Sequence, residues 1–321
     1  MDWNGIPLQP LSGGYSDETF LAGDPNADPD SAAVVRIYRR EPERAAIDAS
    51  LLRLVRGLVP APEVLEVVPA DGDRPGVLVT EYVVGTPLDA LLAEDPEGLD
   101  YETLGYDIGA VLARLSHIPF LRLGMFADPD LALTTEGVPS DLGEWAQHFR
   151  DTGRLAAWAQ RDWDALRELV DHAQEVLDDA FAGEGRFVLV HSDFNPKNIR
   201  LEAYDPVHDP AVAALLDWEF AHSGSLYTDI GNFTRFERDE RLLEPLIEGF
   251  VDQAPGHIHD PIERGRAADL WALLELSGGT RTNAVRELAA ELLLAQARAG
   301  DLCAWPWEPA RVDPAAARPI S

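Results

Sequence analysis

The chain of 321 residues sets 57 Asp and Glu against 26 Lys and Arg, a formal net charge of −31 at pH 7. An anionic excess of this size argues against general affinity for nucleic-acid phosphates or anionic lipid, which depends on basic patches. With 46% hydrophobic residues the chain can bury a substantial core, and its length suggests two lobes of roughly 150 residues each. Cys303 is the sole cysteine, so neither an intramolecular disulfide nor a cysteine-based metal cluster can form. The start MDWNGIPLQP lacks the basic stretch and apolar run of a secretion signal, and no segment approaches the ~20 apolar residues of a membrane span. A cytoplasmic protein with no membrane or nucleic-acid partner is expected. Lys197 is the only lysine; the other cations are arginines.

In chain order, the first 85 or so residues read as strands around one helix. Residues 24–30, rich in Pro and Asp, form a hairpin loop. Residues 33–38 (AVVRIY), 63–68 (EVLEVV) and 76–83 (GVLVTEYV) are compact apolar runs, the last two separated by the turn-rich ADGDRPG. Between the first two, Ala45, Leu51, Leu52 and Val55 fall broadly on one helical face; Gly57 ends that helix, and Pro60 and Pro62 prevent its continuation.

After Gly85-Thr86-Pro87 the pattern is mostly helical. Leu104, Ile108, Val111, Leu112 and Leu115 repeat at helical spacing, as do Trp163, Leu166, Val170, Ala173, Leu177 and Phe181. Two short apolar runs follow, 186–190 (RFVLV) and 211–216 (AVAALL), each leading into polar, turn-prone sequence. Helical periodicity returns over 238–251, 267–276 and 284–299, and Gly300 stops the last helix. The pattern predicts an α+β protein with a small β-rich N-terminal lobe, residues 1–84, and a larger helical C-terminal lobe, residues 85–321, hinged near 81–85.

The chemistry-bearing segments lie after the two short runs. His191-Ser192-Asp193-Phe194-Asn195-Pro196-Lys197-Asn198 follows the first, and Asp217-Trp218-Glu219-Phe220 the second. Two adjacent strands ending in acids would gather Asp193, Asn198 and Asp217 around one small volume. Phosphoryl transfer needs such a set: a carboxylate that orients the attacking hydroxyl and takes its proton, and hard oxygen ligands for Mg²⁺ on the phosphates.

HSDFNPKN and LLDWEFA resemble the catalytic and metal-binding segments of the aminoglycoside phosphotransferase family, whose protein-kinase-like fold is shared by choline and ethanolamine kinases. The resemblance runs from LSGGYSDETF to about Phe236. It implies Asp193 as the catalytic aspartate, Asn198 and Asp217 as Mg²⁺ ligands, and His191 and Asp229 as supports of the catalytic loop. In the N-terminal lobe it implies that Arg36 grips the nucleotide phosphates and that Asp48, on the following helix, holds Arg36. Ser12, Gly13 and Gly14 resemble the family's nucleotide loop, where adjacent glycines let backbone N–H groups approach phosphate. Glu81, Tyr82 and Val83 match the hinge whose backbone would hold adenine. Lys197, inside the catalytic loop, is placed to touch a phosphate or the substrate, or simply to face water. Glu219 follows the metal aspartate as in choline kinases, but Gly224 stands near the place of an Asn those enzymes carry, and Ser116-His117 replaces the more usual Leu-His-Ser.

The implied activity is transfer of the γ-phosphate of ATP or GTP to a hydroxyl of a small molecule, with Mg²⁺. An antibiotic, or a metabolic acceptor such as choline, homoserine or a sugar, fits this pattern; a catalytically silent kinase-like module is the alternative of a different class. The acids Glu237, Asp239, Glu240, Glu244 and Glu248 read as a solvated helix face or as a surface toward a polycationic acceptor.

Overall fold

The computed structural model describes residues 2–11, 18–28, 31–95, 98–136, 138, 141–184, 186–202 and 211–307. Strands β1 (Asp2–Trp3), β2 (Ile6–Pro10), β3 (Glu18–Ala22), β4 (Ala33–Tyr38), β5 (Val64–Val68) and β6 (Gly76–Glu81) form one antiparallel sheet in the order β1-β2-β3-β4-β6-β5, with helix α1 (Arg44–Val55) between β4 and β5. In β4 the alternation expected of a central strand holds: Ala33, Val35 and Ile37 are buried on one face with Ala22 and Val79, while Arg36 points to the other. Helix α1 covers that second face at one end through Ala45, Leu51, Leu52 and Val55. The loop over residues 24–28 turns as its Pro- and Asp-rich composition predicts, with Asp24 accepting from the Asn26 N–H at 3.0 Å.

Beyond Glu81 the chain crosses to the helical part. Strand β7 (Thr86–Pro87) pairs with β12 (Ile199–Leu201), which in turn pairs with β13 (Val212–Leu215), so the segment that leaves the N-terminal sheet is tied to the strand that follows the catalytic loop. Gly85 makes this crossing possible: its φ is +149°, and a Cβ there would lie 1.9 Å from the Leu201 carbonyl oxygen. Arg200 Nη1 donates to the Gly85 carbonyl at 3.1 Å across the same contact.

The helical part comprises α2 (Leu88–Glu94), α3 (Tyr101–Leu115), α4 (Leu142–Thr152), α5 (Gln160–Glu184), α6 (Thr228–Thr234), α7 (Glu240–Gln253), α8 (Pro261–Gly278) and α9 (Ala284–Ala299). A five-stranded sheet, ordered β10 (Leu133–Thr134), β9 (Gly124–Phe126), β14 (His222–Gly224), β11 (Phe187–Val190) and β8 (Pro119–Phe120), lies among them. Helix α3 buries the apolar stripe read from its periodicity, Leu104, Ile108, Val111, Leu112 and Leu115. It packs closely on α7 through Gly109, Gly105 and Gly249. A second apolar cluster joins α4, α5, α8 and α9 around Trp163, Leu166, Leu270 and Leu293. Phe181 departs from its predicted stripe: it is 45% exposed near the end of α5, stacked on Phe187 with ring centroids 4.7 Å apart.

Candidate active site

The catalytic loop begins where β11 ends. Ser192 adopts a left-handed backbone, φ 64°, which turns the chain so that Asp193 leaves the strand axis; a non-glycine residue in that region stores strain of a kind that collects at functional sites. Asn195 then caps a short 3-10 turn over Pro196–Asn198, accepting from the Lys197 N–H at 3.0 Å. Two side-chain amides hold the Asp193 carboxylate: Asn195 Nδ2 donates to Oδ1 at 2.9 Å and Asn198 Nδ2 to Oδ2 at 2.7 Å. Burial, reinforced by the nearby Asp217 charge, pushes the Asp193 carboxyl up to about 6, while Arg235 and the two amides oppose that shift. Lys197 is exposed.

Asp217 is brought in by a different route from the one expected. Strand β11 and strand β13 are not neighbours; they belong to separate sheets. The link is β12, which starts immediately after Asn198 and pairs antiparallel with β13, so the catalytic loop and Asp217 lie at the same end of a two-stranded ribbon. The Leu216 N–H donates to the Asn198 carbonyl at 2.8 Å and locks that end. Asp217 is itself left-handed, φ 65°, and opens a short 3-10 turn over Trp218–Phe220.

His191 ties the loop to the Asp217 strand. Its Nε2 pairs with the Leu216 carbonyl at 2.9 Å and its Nδ1 accepts from the Asp193 N–H at 3.3 Å. Burial pushes the imidazole down to about 4, so at neutral pH it is uncharged, with the proton on Nε2 as these two partners require. Asp229, at the start of α6, accepts from the His191 N–H at 2.8 Å and the Ser192 N–H at 2.7 Å. Both residues thus bond to the backbone of this loop. Sequence reading missed the layer behind: Asp269 on α8 accepts from Asn232 Nδ2 at 2.8 Å and from Arg235 Nε at 2.8 Å, which fixes a buried guanidinium on the Asp193 side of α6.

A cavity of about 380 Å³ lies between the lobes, and its lining includes Arg36, Asp48, Glu81, Tyr82, Val83, Asn198 and Asp217. Arg36 reaches across it: Nη1 lies 2.6 Å from Asp217 Oδ1, and Nη2 contacts Glu219. Burial would lower the affinity of this guanidinium for its proton, but Asp217, Tyr38 and Glu219 together more than offset that effect. The Arg36–Asp48 pairing expected from sequence is replaced. Asp48 is taken by Arg44, one helical turn earlier, with Nε 2.5 Å from Oδ1, and by the Tyr38 hydroxyl at 2.7 Å. Arg44 is on the same helix at i−4 and needs no reach across the cavity, which explains why it wins the carboxylate. Arg44 Nη2 also donates to the Trp218 carbonyl at 3.0 Å, so α1 grips the turn that presents Asp217.

In the hinge, the Glu81 N–H donates to the Glu63 carbonyl and the Tyr82 N–H to the Ala32 carbonyl, at 2.9 and 3.1 Å. The Glu81 and Tyr82 N–H groups are therefore committed to the N-terminal lobe, and of the backbone groups expected to hold adenine these two donors are taken. Ser12, Gly13 and Gly14 lie outside the described residues.

A second and larger cavity, about 610 Å³, opens on the opposite side of the catalytic loop, where Ser192, Thr228 and Asn232 line it beside Trp145, Trp271, Phe181 and Phe187. Of the aromatics, Phe181 reads from sequence as part of a helical stripe and Phe187 as part of the apolar run 186–190. The signal for the others was absent: isolated aromatics on α4 and α8 look like core until the helices are placed. The α7 acids Glu240, Glu244 and Glu248 are exposed, and Asp239 caps that helix; none of them lines this cavity.

A β-rich N-terminal lobe over a helical C-terminal lobe, with the loop 191–198 at the junction, is the protein-kinase-like fold. The sequence profile of the phosphotransferase enzyme family matches residues 7–261, and the chain belongs to that family. It is thus a phosphotransferase acting on an alcohol group. Solved structures of similar fold include a thermostable mutant of aminoglycoside phosphotransferase APH(4)-Ia, with TM-score 0.61 at 15% identity over 92% of this chain and 93% of that one. Another is the GDP complex of aminoglycoside 2'-phosphotransferase-IIIa, with TM-score 0.60 at 15% identity over 93% and 88%. A third is aminoglycoside phosphotransferase APH(3'')-Id from Streptomyces rimosus, with TM-score 0.52 at 18% identity over 84% and 93%. A comparison with curated proteins returns no match.

Proposed function

We propose that this phosphotransferase moves the γ-phosphate of ATP or GTP to a hydroxyl of a small molecule. The observation that carries the reading is the Asp193 carboxylate oriented by Asn195 and Asn198, with its chain neighbour Ser192 lining the larger cavity and Asn198 and Asp217 lining the interlobe one. The interlobe cavity would take the nucleotide. Arg36 would serve the phosphates, the hinge at Glu81, Tyr82 and Val83 the base, and the loop with Ser12, Gly13 and Gly14 the phosphates from above. Structures of similar fold were solved with AMP-PNP and with GDP, which supports a purine nucleotide donor.

The donor set fits Mg²⁺. Asn198 uses its Nδ2 for Asp193, which leaves its amide oxygen as the ligand atom, and Asp217 would add a carboxylate oxygen once Arg36, paired here with Asp217 and Glu219, turns to the phosphates. Bound there, the ion would neutralise charge on the phosphates. Asp193 would orient the acceptor hydroxyl and accept its proton, a task suited by a carboxyl pushed up toward 6 yet ionised at neutral pH. Neutral His191 holds the loop without competing for that proton, and Asp229 braces it by accepting the His191 and Ser192 N–H groups.

The test is initial-rate phosphate transfer from ATP and GTP to a panel of aminoglycosides, macrolides, choline and homoserine. For the acceptor that is turned over, Asp193→Asn is expected to lower kcat by about 10²–10⁴-fold. Undiminished turnover in that variant would sink the reading. Asp217→Ala should weaken Mg²⁺-nucleotide binding in calorimetry.

A further inference from the structure

The 610 Å³ cavity differs in chemistry from a receptor for a polycation. We infer that its occupant, the acceptor of the reaction proposed above, is a hydroxylated molecule with one broad apolar face and no more than two amines, rather than a polycationic sugar. This inference rests on the phosphotransfer reading and names its substrate class.

The first argument is the wall. Trp145 and Trp271 stand side by side with ring centroids 6.4 Å apart, and the Trp145 indole N–H donates to the Trp271 carbonyl at 3.0 Å. Phe149 meets Trp145 edge-on at 4.6 Å. These contacts fix the rings before any ligand arrives, so little conformational entropy is lost in using them as a platform. Across the cavity stands the stacked pair Phe181 and Phe187. Phe181 is 45% exposed, as is Phe220, at 50%, near the loop that carries Asp217. Large aromatic faces left open to water around a cavity mark a binding surface for apolar area.

The second argument is the charge. Glu136, Asp178 and Glu275 line the cavity together with Arg186, a net formal charge of −2. Arg186 donates to the Pro255 carbonyl, and Asp178 accepts from Gln174 Nε2 at 2.9 Å. That balance can be met by two ammonium groups at most, and further ammonium groups set against aromatic walls would be desolvated without partners. The third argument is position. Ser192, Thr228 and Asn232 give the cavity its polar end, and this end adjoins Asp193. An amphipathic alcohol would therefore enter with its hydroxyl toward Asp193 and its apolar face on the tryptophans. The cavity size suits a drug-sized molecule, within the roughly 300–1,000 Å³ common for such sites.

The experiment uses the full chain and two separate readouts. N-phenyl-1-naphthylamine, a neutral apolar fluorophore, is titrated into the wild type, Trp271→Ala and the surface variant Phe181→Ser, and then displaced with erythromycin, which has an apolar lactone face and one amine, or with hygromycin B. Saturable fluorophore binding that weakens about tenfold in both variants, with displacement by erythromycin and not by hygromycin B, is the expected result. No saturable binding, binding indifferent to both substitutions, or displacement by hygromycin B alone would overturn the inference. Phe181→Ser removes a half-exposed ring, so its outcome stands even if Trp271→Ala fails to fold. Mg²⁺-dependent binding of a fluorescent ATP analogue is measured on the same samples. Its absence would count against the phosphotransfer reading, while the fluorophore result would still judge the cavity.

Discussion

Asp193 and Asp229 are both buried carboxyls raised above their ordinary range, yet they do different work. Asp193 is steered by two side-chain amides; Asp229 is sealed beneath the loop and accepts two main-chain N–H groups. Burial pushes Asp229 up to about 7 against the pull of those two bonds. The folded chain therefore holds this proton more tightly than the unfolded chain, where the group titrates near 4. Its contribution to stability is complete below pH 4 and is lost as pH rises to about 7, a change of up to about 4 kcal/mol. Denaturant unfolding of the wild type and Asp229→Asn, followed from pH 4 to pH 9, should give a stability difference that varies through that window and is flat above it. A difference independent of pH would contradict this account. That His191 and Asp229 lie against the loop was expected from the family resemblance, and their bonds to its backbone appear in the fold. The place of Arg44 was not expected, because its partners, Asp48 and the Trp218 carbonyl, are revealed only when α1 is docked.

At the scale of elements, the helices that carry no chemistry set the site's precision. Helix α3 approaches α7 so closely that a Cβ on Gly109 would sit 1.9 Å from the Leu246 carbonyl oxygen, and one on Gly249 would sit 2.2 Å from that of Tyr106. Gly109→Ala must push two backbones apart, and a loss of about 1–3 kcal/mol or more is expected, read as a lowered Tm. An unchanged Tm would show that the helices can slide. The periodic stripe of α3 was visible in sequence because its apolar side chains repeat at helical spacing, but nothing in that repeat says which neighbour demands glycine. The same limit explains the strand error. Two apolar runs each followed by an acid look like adjacent strands, whereas the ribbon β12–β13 delivers Asp217 and β11 belongs to another sheet.

Across the whole molecule, two arginines join the lobes. Arg36 runs from β4 to Asp217 and Glu219, and Arg44 runs from α1 to the Trp218 carbonyl, so the segment 217–220 is held from the N-terminal side. Arg44→Met would leave Asp48 buried with only the Tyr38 hydroxyl and would free the Trp218 carbonyl. A loss of about 3–5 kcal/mol is expected from such a broken buried pair. The double variant Arg44→Met/Asp48→Asn should recover much of it, because the uncompensated charge is gone. Equal destabilisation in the single and double variants would assign Arg44 to packing alone.

The sequence by itself determined the lobe order, the helical stripes and the segments that hold Asp193, Asn198 and Asp217, because local spacing and turn chemistry are written in consecutive residues. It also determined the acidity, and the exposed acids of α7 agree with a solvated face for that charge. Only the tertiary structure decided who pairs with Arg36, how β13 reaches the catalytic loop and what walls the larger cavity. Each of those depends on side chains far apart in the chain, Arg36 with Asp217 or Trp145 with Trp271, that meet only after separate elements have packed.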